Sequence, residues 1–456
     1  MPSRRNLKVF KSVAIRMDSH FTSSSLLPLT HDSGNQMLTI GQWRVRENSL
    51  YHRLLAATFA SSRIETRPNW AEVSLSALRH NFHVLQEHVG PSVTICAVVK
   101  CNAYGHGVEE CAPALEQAGA KWFGVTSTDE GVRLREAGIE GRILVMCGLY
   151  AGEEEDALRI GLTPAVFRLE DAQAVARAAT RLGQTGKAPV HLKIDTGMAR
   201  LGLPLAELES FAEGVKKLPD IEVEGVFSHL ASSEVLDDEG TRRQIQRFDA
   251  ALKTLAAHRL HPPLRHLANS GAVSARPDTW HNFVRPGLAL YGYEQPTWHR
   301  DGSPVKDVAP LPLKPALAWK THVLGLRDVP AGQALGYGGA YVTPAPARIA
   351  VVSVGYGDGL ARKISIASAG APEAATGHGQ VLLRGQRAPI VGRISMDLTL
   401  VDVTRIAGAA IGDEVVLIGR CGEQEITAWD HARWADTVAY ETLCNLSKRV
   451  PRRHAW

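Results

Sequence analysis

The feature that most limits what this chain can fold into is a repeated alternation of short apolar runs with amphipathic stretches. The runs lie at 93–99, 122–126, 143–147, 163–167, 190–194, 223–228, 264–268 and 283–290, each bounded by turn residues. Between them, segments such as Glu170 to Ala179, Ala206 to Leu218 and Thr241 to Leu255 carry apolar residues three and four apart, the spacing of one helix face. Eight strands alternating with helices over about 240 residues fit a (β/α)8 barrel better than an open sheet.

After about residue 308 the rhythm changes. Leu317 to Val323, Ile349 to Val354, Gln380 to Leu383, Leu398 to Val403 and Glu414 to Ile418 read as strands with little helix between them, followed by a last helical pattern over Trp429 to Leu446. The expected organisation is therefore a barrel over 67–308 and a predominantly β domain over 309–456, in line with two or three domains for 456 residues. Residues 1–66 lack sustained periodicity and read as a disordered or non-native extension, with later start sites at Met17 and Met37. Their one apolar run, Leu54 to Ala60, is short and late for an export signal. A cytoplasmic location follows as the expectation.

Charge separates these regions. Residues 1–66 hold nine Lys or Arg against four acids, so the formal +4 of the chain leaves the remainder at −1. A near-neutral body argues against a nucleic-acid or membrane partner and suits a small-molecule enzyme. The six cysteines show no Cys-x-x-Cys pair and no histidine at ligand spacing, so neither a disulfide framework nor a metal site is expected.

In a barrel, chemistry sits at the C-terminal ends of the strands. Strand one ends in Lys100, directly before the glycine-punctuated turn Cys101-Asn102-Ala103-Tyr104-Gly105-His106-Gly107. An amine at the mouth of a buried strand is partly desolvated, which favours its nucleophilic form toward an aldehyde. Strand five supplies Lys193, Asp195, Thr196 and Arg200; strand six Ser228 and His229; strand seven His266, Asn269 and Ser270; strand eight Arg285 before Pro286-Gly287. Each residue alone has an ordinary structural reading. Together on one rim they form a polar set that strand packing does not require.

Those residues fall in motifs that resemble the alanine racemases. Val98 to Gly107 resembles that family's pyridoxal-phosphate lysine motif, with Cys101 where Ala is commoner. His191 to Gly202, His266 to Ser270, Arg285 to Gly292, Gly336-Tyr337-Gly338, Gly355 to Gly359 and Gly392 to Asp397 look like its other motifs, in its order, over about residues 67 to 452. The resemblance implies L-alanine and D-alanine interconversion, supplying D-alanine for peptidoglycan or degrading it, with a serine or broad-specificity racemase as the alternative. It implies that Lys100 holds pyridoxal 5'-phosphate as a Schiff base and is one of two acid/base groups, the other being Tyr337 from the second subunit of a homodimer. A phenol serves as a base near neutrality only where positive charge or donors stabilise its anion.

By the same resemblance His229 and Arg285 form such a network, with His266 beside them, and Arg285 disfavours protonation of the cofactor's pyridine nitrogen. The phosphate would lie among Tyr104, Ser270 and the backbone near Gly287 and Leu288, with Asn269 adjoining. Arg200 would reach the cofactor and the substrate carboxylate; Lys193 aligns with a lysine that is carbamylated in many members. Met396 and Asp397 match substrate-side residues from the partner, and Tyr356 and Arg362 match residues of the access channel. Three further positions depart from the pattern. Ala199 replaces the commoner Gly and requires a negative φ there; Ser395 stands where Cys is frequent; and Lys448 is aligned with a phosphate-binding Tyr. A barrel-type decarboxylase lacks support, because no Gly-Gly-Gly phosphate loop and no late Cys-Asp pair occur. A non-catalytic cofactor carrier would not need the β domain.

Overall fold

The computed structural model describes residues 67–365 and 378–456 and, before them, three short strands. Those strands, Thr30–His31, Met37–Ile40 and Trp43–Arg46, pair in antiparallel fashion. The expected disordered extension, with its apolar run at 54–60, otherwise lies outside the described residues. Of the two compact units in the chain, Met1–Arg67 and Pro68–Trp456, the second holds every candidate residue.

The eight expected runs become eight parallel strands: Thr94–Val98, Trp122–Val125, Arg142–Val145, Leu162–Val166, Ala188–Asp195, Ile221–Phe227, Leu264–His266 and Phe283–Val284. Successive strands pair from one to seven, and strand eight returns to pair with strand one. At the rim between strands seven and eight, the Arg285 N–H donates to Ala268 O at 3.0 Å and closes the ring. Covered on both faces, the strands are continuous apolar runs; Ile143, Leu144 and Val145 are all fully buried. The helices bury one stripe each. Leu169–Arg181 inserts Ala172, Val175, Ala176 and Ala179, spaced three and four apart, against the barrel.

Strand eight is shorter than its apolar run. Pro286 has no N–H to give to a ladder, and the Gly287 and Ala289 N–H groups donate to Ser270 Oγ at 2.8 and 3.3 Å instead. The chain then turns into a 3₁₀ segment, Leu288–Tyr291. Similarly, the last helical pattern divides into Ala428–Ala435 and Ala439–Cys444, because Asp436 caps the first helix at φ +55°.

The second layer is a mainly antiparallel sheet centred on Leu317–Val329, flanked by Ala347–Val352 and Glu414–Cys421. Asn69–Ser74, at the start of the region read as barrel, joins this sheet and pairs with both Leu317–Val329 and Arg452–Ala455. Buried Trp319 Nε1 donates to Asn69 Oδ1 at 2.7 Å and fixes that junction. From Asn69 onward the chain thus leaves the sheet, runs around the barrel and returns. Among the described residues no helix is long and apolar enough to cross a membrane.

Candidate active site

Lys100 leaves strand one at the C-terminal rim and is followed by a backbone feature that its sequence does not advertise. Cys101, Asn102, Ala103 and Tyr104 have φ of +52°, +56°, +53° and +50°, one turn of left-handed helix. Each such residue costs roughly 1–2 kcal/mol, so the turn needs external support. The Ala103 N–H donates to Val99 O and the Gly105 N–H to Cys101 O, both at 2.9 Å. Glu130 supplies the rest: one carboxylate oxygen accepts from the Cys101 N–H at 2.6 Å, the other from the N–H and hydroxyl of Thr126 at 2.9 and 3.0 Å. The carboxylate ties the turn after strand one to the end of strand two.

The turn delivers the buried Tyr104 side chain to Gly287. A Cβ at 287 would sit 2.3 Å from Tyr104 Oη, so glycine is required by close approach. Ser270 Oγ lies against the same backbone, and Asn269 caps the segment beginning at Ser270 by accepting from the Ala272 N–H at 3.1 Å. Two hydroxyls and this backbone thus meet at one wall, with no lysine among them.

Lys100, Tyr104, Lys193, Arg200, His229, Asn269, Ser270, Arg285 and Gly287 all line one cavity of about 240 Å³, as the rim position of each predicts. Leu288 is fully buried behind Gly287. Thr126, Phe227 and Tyr440 also line it. Tyr440, which sequence reasoning passed over, brings its ring to 5.9 Å from that of Tyr104. Lys448, by contrast, is exposed and is not among the lining residues. The phenol absent at 448 is matched by that of Tyr440, which enters the cavity from the helix Ala439–Cys444.

Electrostatically the cavity is cationic. Arg285 is buried and both its terminal nitrogens are engaged: Nη1 donates to His266 Nδ1 at 2.8 Å, Nη2 to Ser228 O at 2.7 Å and Leu267 O at 3.3 Å, while the guanidinium lies over the Phe227 ring. Burial pulls its pKa to about 10, which leaves it charged at neutral pH. Lys193 donates to Met146 O at 3.1 Å; burial, joined by the charges of Arg285, Arg200 and Lys100, brings its ammonium down to about 8. Burial and the same surrounding cations take His229 to about 3, so its imidazole is neutral. Burial holds the Tyr104 phenol well above its ordinary value, and Tyr440 at about 12. Both hydroxyls are donors.

Ala199 overturns one expectation. Its φ is +55°, not negative, and the turn is held because Asp195 Oδ1 accepts from the Gly197 and Ala199 N–H groups at 2.9 and 3.1 Å. Tyr337, Tyr356, Met396 and Asp397 are not brought to the barrel cavity of their own chain. The first three are 69%, 43% and 52% exposed on the β domain. The loops of Tyr356 and Met396 adjoin: the Tyr356 N–H donates to Ser395 O and the Gly357 N–H to Met396 O, each at 3.0 Å. Arg449 meets Asp397 at 2.6 Å and Asp358 at 3.2 Å beside them. Arg362 faces a separate crevice with Trp319 and His431.

The family model "Alanine racemase, N-terminal domain" matches residues 73–295, and "Alanine racemase, C-terminal domain" matches residues 316–454. The sequence is 42% identical over 387 residues to an alanine racemase of Symbiobacterium thermophilum, covering 85% of this chain and 97% of that protein. Among solved structures, the alanine racemase of Streptomyces lavendulae superposes with a TM-score of 0.77 at 34% identity, covering 86% of this chain and 98% of the other. The alanine racemase of Bartonella henselae with covalently bound pyridoxal phosphate superposes at 0.73 with 30% identity, covering 85% and 99%.

Proposed function

The chain belongs to the alanine racemase family, and from that premise we propose that it interconverts L-alanine and D-alanine with Lys100 and Tyr337 of the partner subunit as the two proton-transfer groups. One observation carries the reading: Lys100, Tyr104, Ser270, Arg285 and Gly287 wall a single cavity at the C-terminal rim. The residues fit pyridoxal phosphate, because hydroxyls and backbone amides suited to a phosphate share one cavity with an amine suited to an aldehyde, and glycine at 287 lets the Tyr104 hydroxyl come against the backbone there. When bound, that cofactor draws electrons from the substrate Cα and makes its proton removable.

The protein's own groups then divide the work. Tyr104, Ser270 and the backbone near Gly287 and Leu288 would hold the phosphate, with the Tyr440 hydroxyl joining them. Lys100 Nζ takes or returns the Cα proton on one face. Tyr337 Oη of the partner subunit does so on the other, and His229 and Arg285 supply polar and positive surroundings for that phenol. Arg285, a donor with no acceptor atom, stays charged in the cavity and would disfavour protonation of the cofactor's pyridine nitrogen, limiting the negative charge that collects on the ring. Arg200 orients the substrate carboxylate. Carbamylated Lys193 would present an anion to Arg200, and its ammonium, brought down to about 8, yields the neutral amine that carbon dioxide requires.

A homodimer with shared sites is supported by the exposure of Tyr337, Tyr356 and Met396, three large apolar side chains on the β domain. From a second copy these residues and Asp397 would close the cavity over the substrate. In the cytoplasm such an enzyme supplies D-alanine for peptidoglycan or breaks it down. The direct test is to incubate the purified protein with L-alanine and follow optical rotation. Rotation should fall to zero, and Lys100→Ala should abolish both this and the visible absorbance of bound cofactor. Unchanged rotation with cofactor bound would sink the reading.

A further inference from the structure

Below Arg285 a line of polar side chains continues through the barrel interior to its opposite mouth. His266 Nδ1 faces Arg285 Nη1 at 2.8 Å, and His266 Nε2 faces His191 Nδ1 at 2.9 Å. His191 Nε2 faces Glu224 Oε1 at 3.4 Å, and that carboxylate is held by Arg142 at 2.6 Å. Both imidazoles are fully buried, and the Glu224 side chain is only 12% exposed. A local irregularity of strand six builds the lower end. Its register with strand five shifts between Val223 and Gly225, which re-aims Glu224. Gly225 itself makes room for the imidazole, since a Cβ there would lie 2.4 Å from His191 Nδ1.

The two ends of this line dictate its protons. A guanidinium only donates, so His266 Nδ1 must accept. A neutral His266 then carries its proton on Nε2 and donates to His191 Nδ1. His191 in turn carries its proton on Nε2, the nitrogen nearest the acceptor-only carboxylate of Glu224. Read upward from Glu224, the same arrangement results. Burial, reinforced for both rings by the Arg285 charge, holds His266 and His191 below the ordinary histidine range, so both are neutral; the Glu224 carboxylate raises His191 without reversing this. Burial alone would raise Glu224, but His191 and Arg142 outweigh it and keep the carboxylate ionised.

We propose that Glu224 is a positioning residue for Arg285, setting the Nε2–H tautomers of His191 and His266 from the far end of the barrel and so presenting Arg285 with an acceptor. Without Glu224, His191 can hold its proton on Nδ1, which forces His266 to carry its own on Nδ1. Two donors then meet at the Arg285 contact and the guanidinium turns away. The inference rests on the reading in which Arg285 faces the cofactor ring, but the tautomers can be observed without any turnover.

The experiment is nitrogen NMR of the cofactor-loaded protein labelled with ¹⁵N-histidine, the two rings being assigned by signal loss in His191→Gln and His266→Gln. The wild type should show both rings as Nε2–H between pH 6 and 9. In Glu224→Leu at least one should switch to Nδ1–H, with kcat falling in both directions by on the order of 10-fold, the scale seen for outer-layer partners of functional histidines, and KM for alanine changing much less. Arg142→Met, which leaves the barrel interior intact, should shift the same signals partway and keeps the test open if Glu224→Leu does not fold. A wild-type ring carrying its proton on Nδ1, or unchanged tautomers in both variants, overturns the proposal even if the protein racemises alanine. An inactive protein with the expected tautomers would overturn only the functional reading.

Discussion

Single residues show where the sequence was readable and where it was silent. Lys100, Arg200, Ser270 and Arg285 could be found because polar residues at the ends of apolar runs are anomalous in a barrel. Glu130 and Tyr440 could not, since an acid on a helix and an aromatic in a late helical pattern both look like ordinary surface and core. Ala199 was readable as a departure, but not its backbone angle. At φ +55° it carries strain that glycine would relieve, partly offset by the greater freedom of unfolded glycine. Ala199→Gly should therefore stabilise the protein by up to about 1 kcal/mol, raising the melting temperature by about a degree or two in a thermal scan. A lower melting temperature would show that Asp195 already absorbs the strain. Lys193 gives a second residue-scale prediction. Carbamylation consumes the neutral amine, whose share grows as pH rises through about 8, so at fixed dissolved carbon dioxide a ¹³C carbamate signal should strengthen from pH 7 to 9. Its persistence in Lys193→Met would assign it to another lysine.

At the scale of elements, strands buried on both faces leave an unmistakable mark, and all eight were visible as apolar runs. The left-handed turn after strand one left none, because three of its four residues are types that seldom adopt positive φ. What holds it is Glu130, on the helix after the next strand. Removing the carboxylate leaves the Cys101 and Thr126 N–H groups without their acceptor, at about 1.5–3 kcal/mol for hydrogen bonds to a charged group. Glu130→Ala should lower stability by that amount and weaken cofactor retention on dialysis, because Lys100 and Tyr104 flank the turn. Equal retention would mean that the turn stands on its own two backbone bonds. The neighbouring wall is less forgiving. Gly287→Ala should block phosphate binding while leaving the secondary structure by circular dichroism intact, since the added methyl meets Tyr104 Oη rather than the core.

The whole molecule depends on pairings that no stretch of sequence announces. Asn69–Ser74 precedes the barrel yet belongs to the second sheet, because strand partners hundreds of residues apart carry no local signal. The same is true between chains: the exposed Tyr337 and the cavity of Lys100 lie on different parts of one chain, and only a second copy brings such residues together in the proposed site. That arrangement has a numerical consequence. Lys100→Ala and Tyr337→Phe should each be inactive alone, but in a mixed dimer one site has lost both groups and the other has kept both. If subunits exchange at random, half the dimers are mixed and each has one working site of two, so about a quarter of wild-type activity should return on mixing equal amounts and refolding or co-expressing them. A site built within one chain has no such intact combination. Activity that stays at the level of the separate variants, with mixed dimers confirmed by mass, would therefore place Tyr337 and Lys100 in the same subunit's site, or remove Tyr337 from the chemistry.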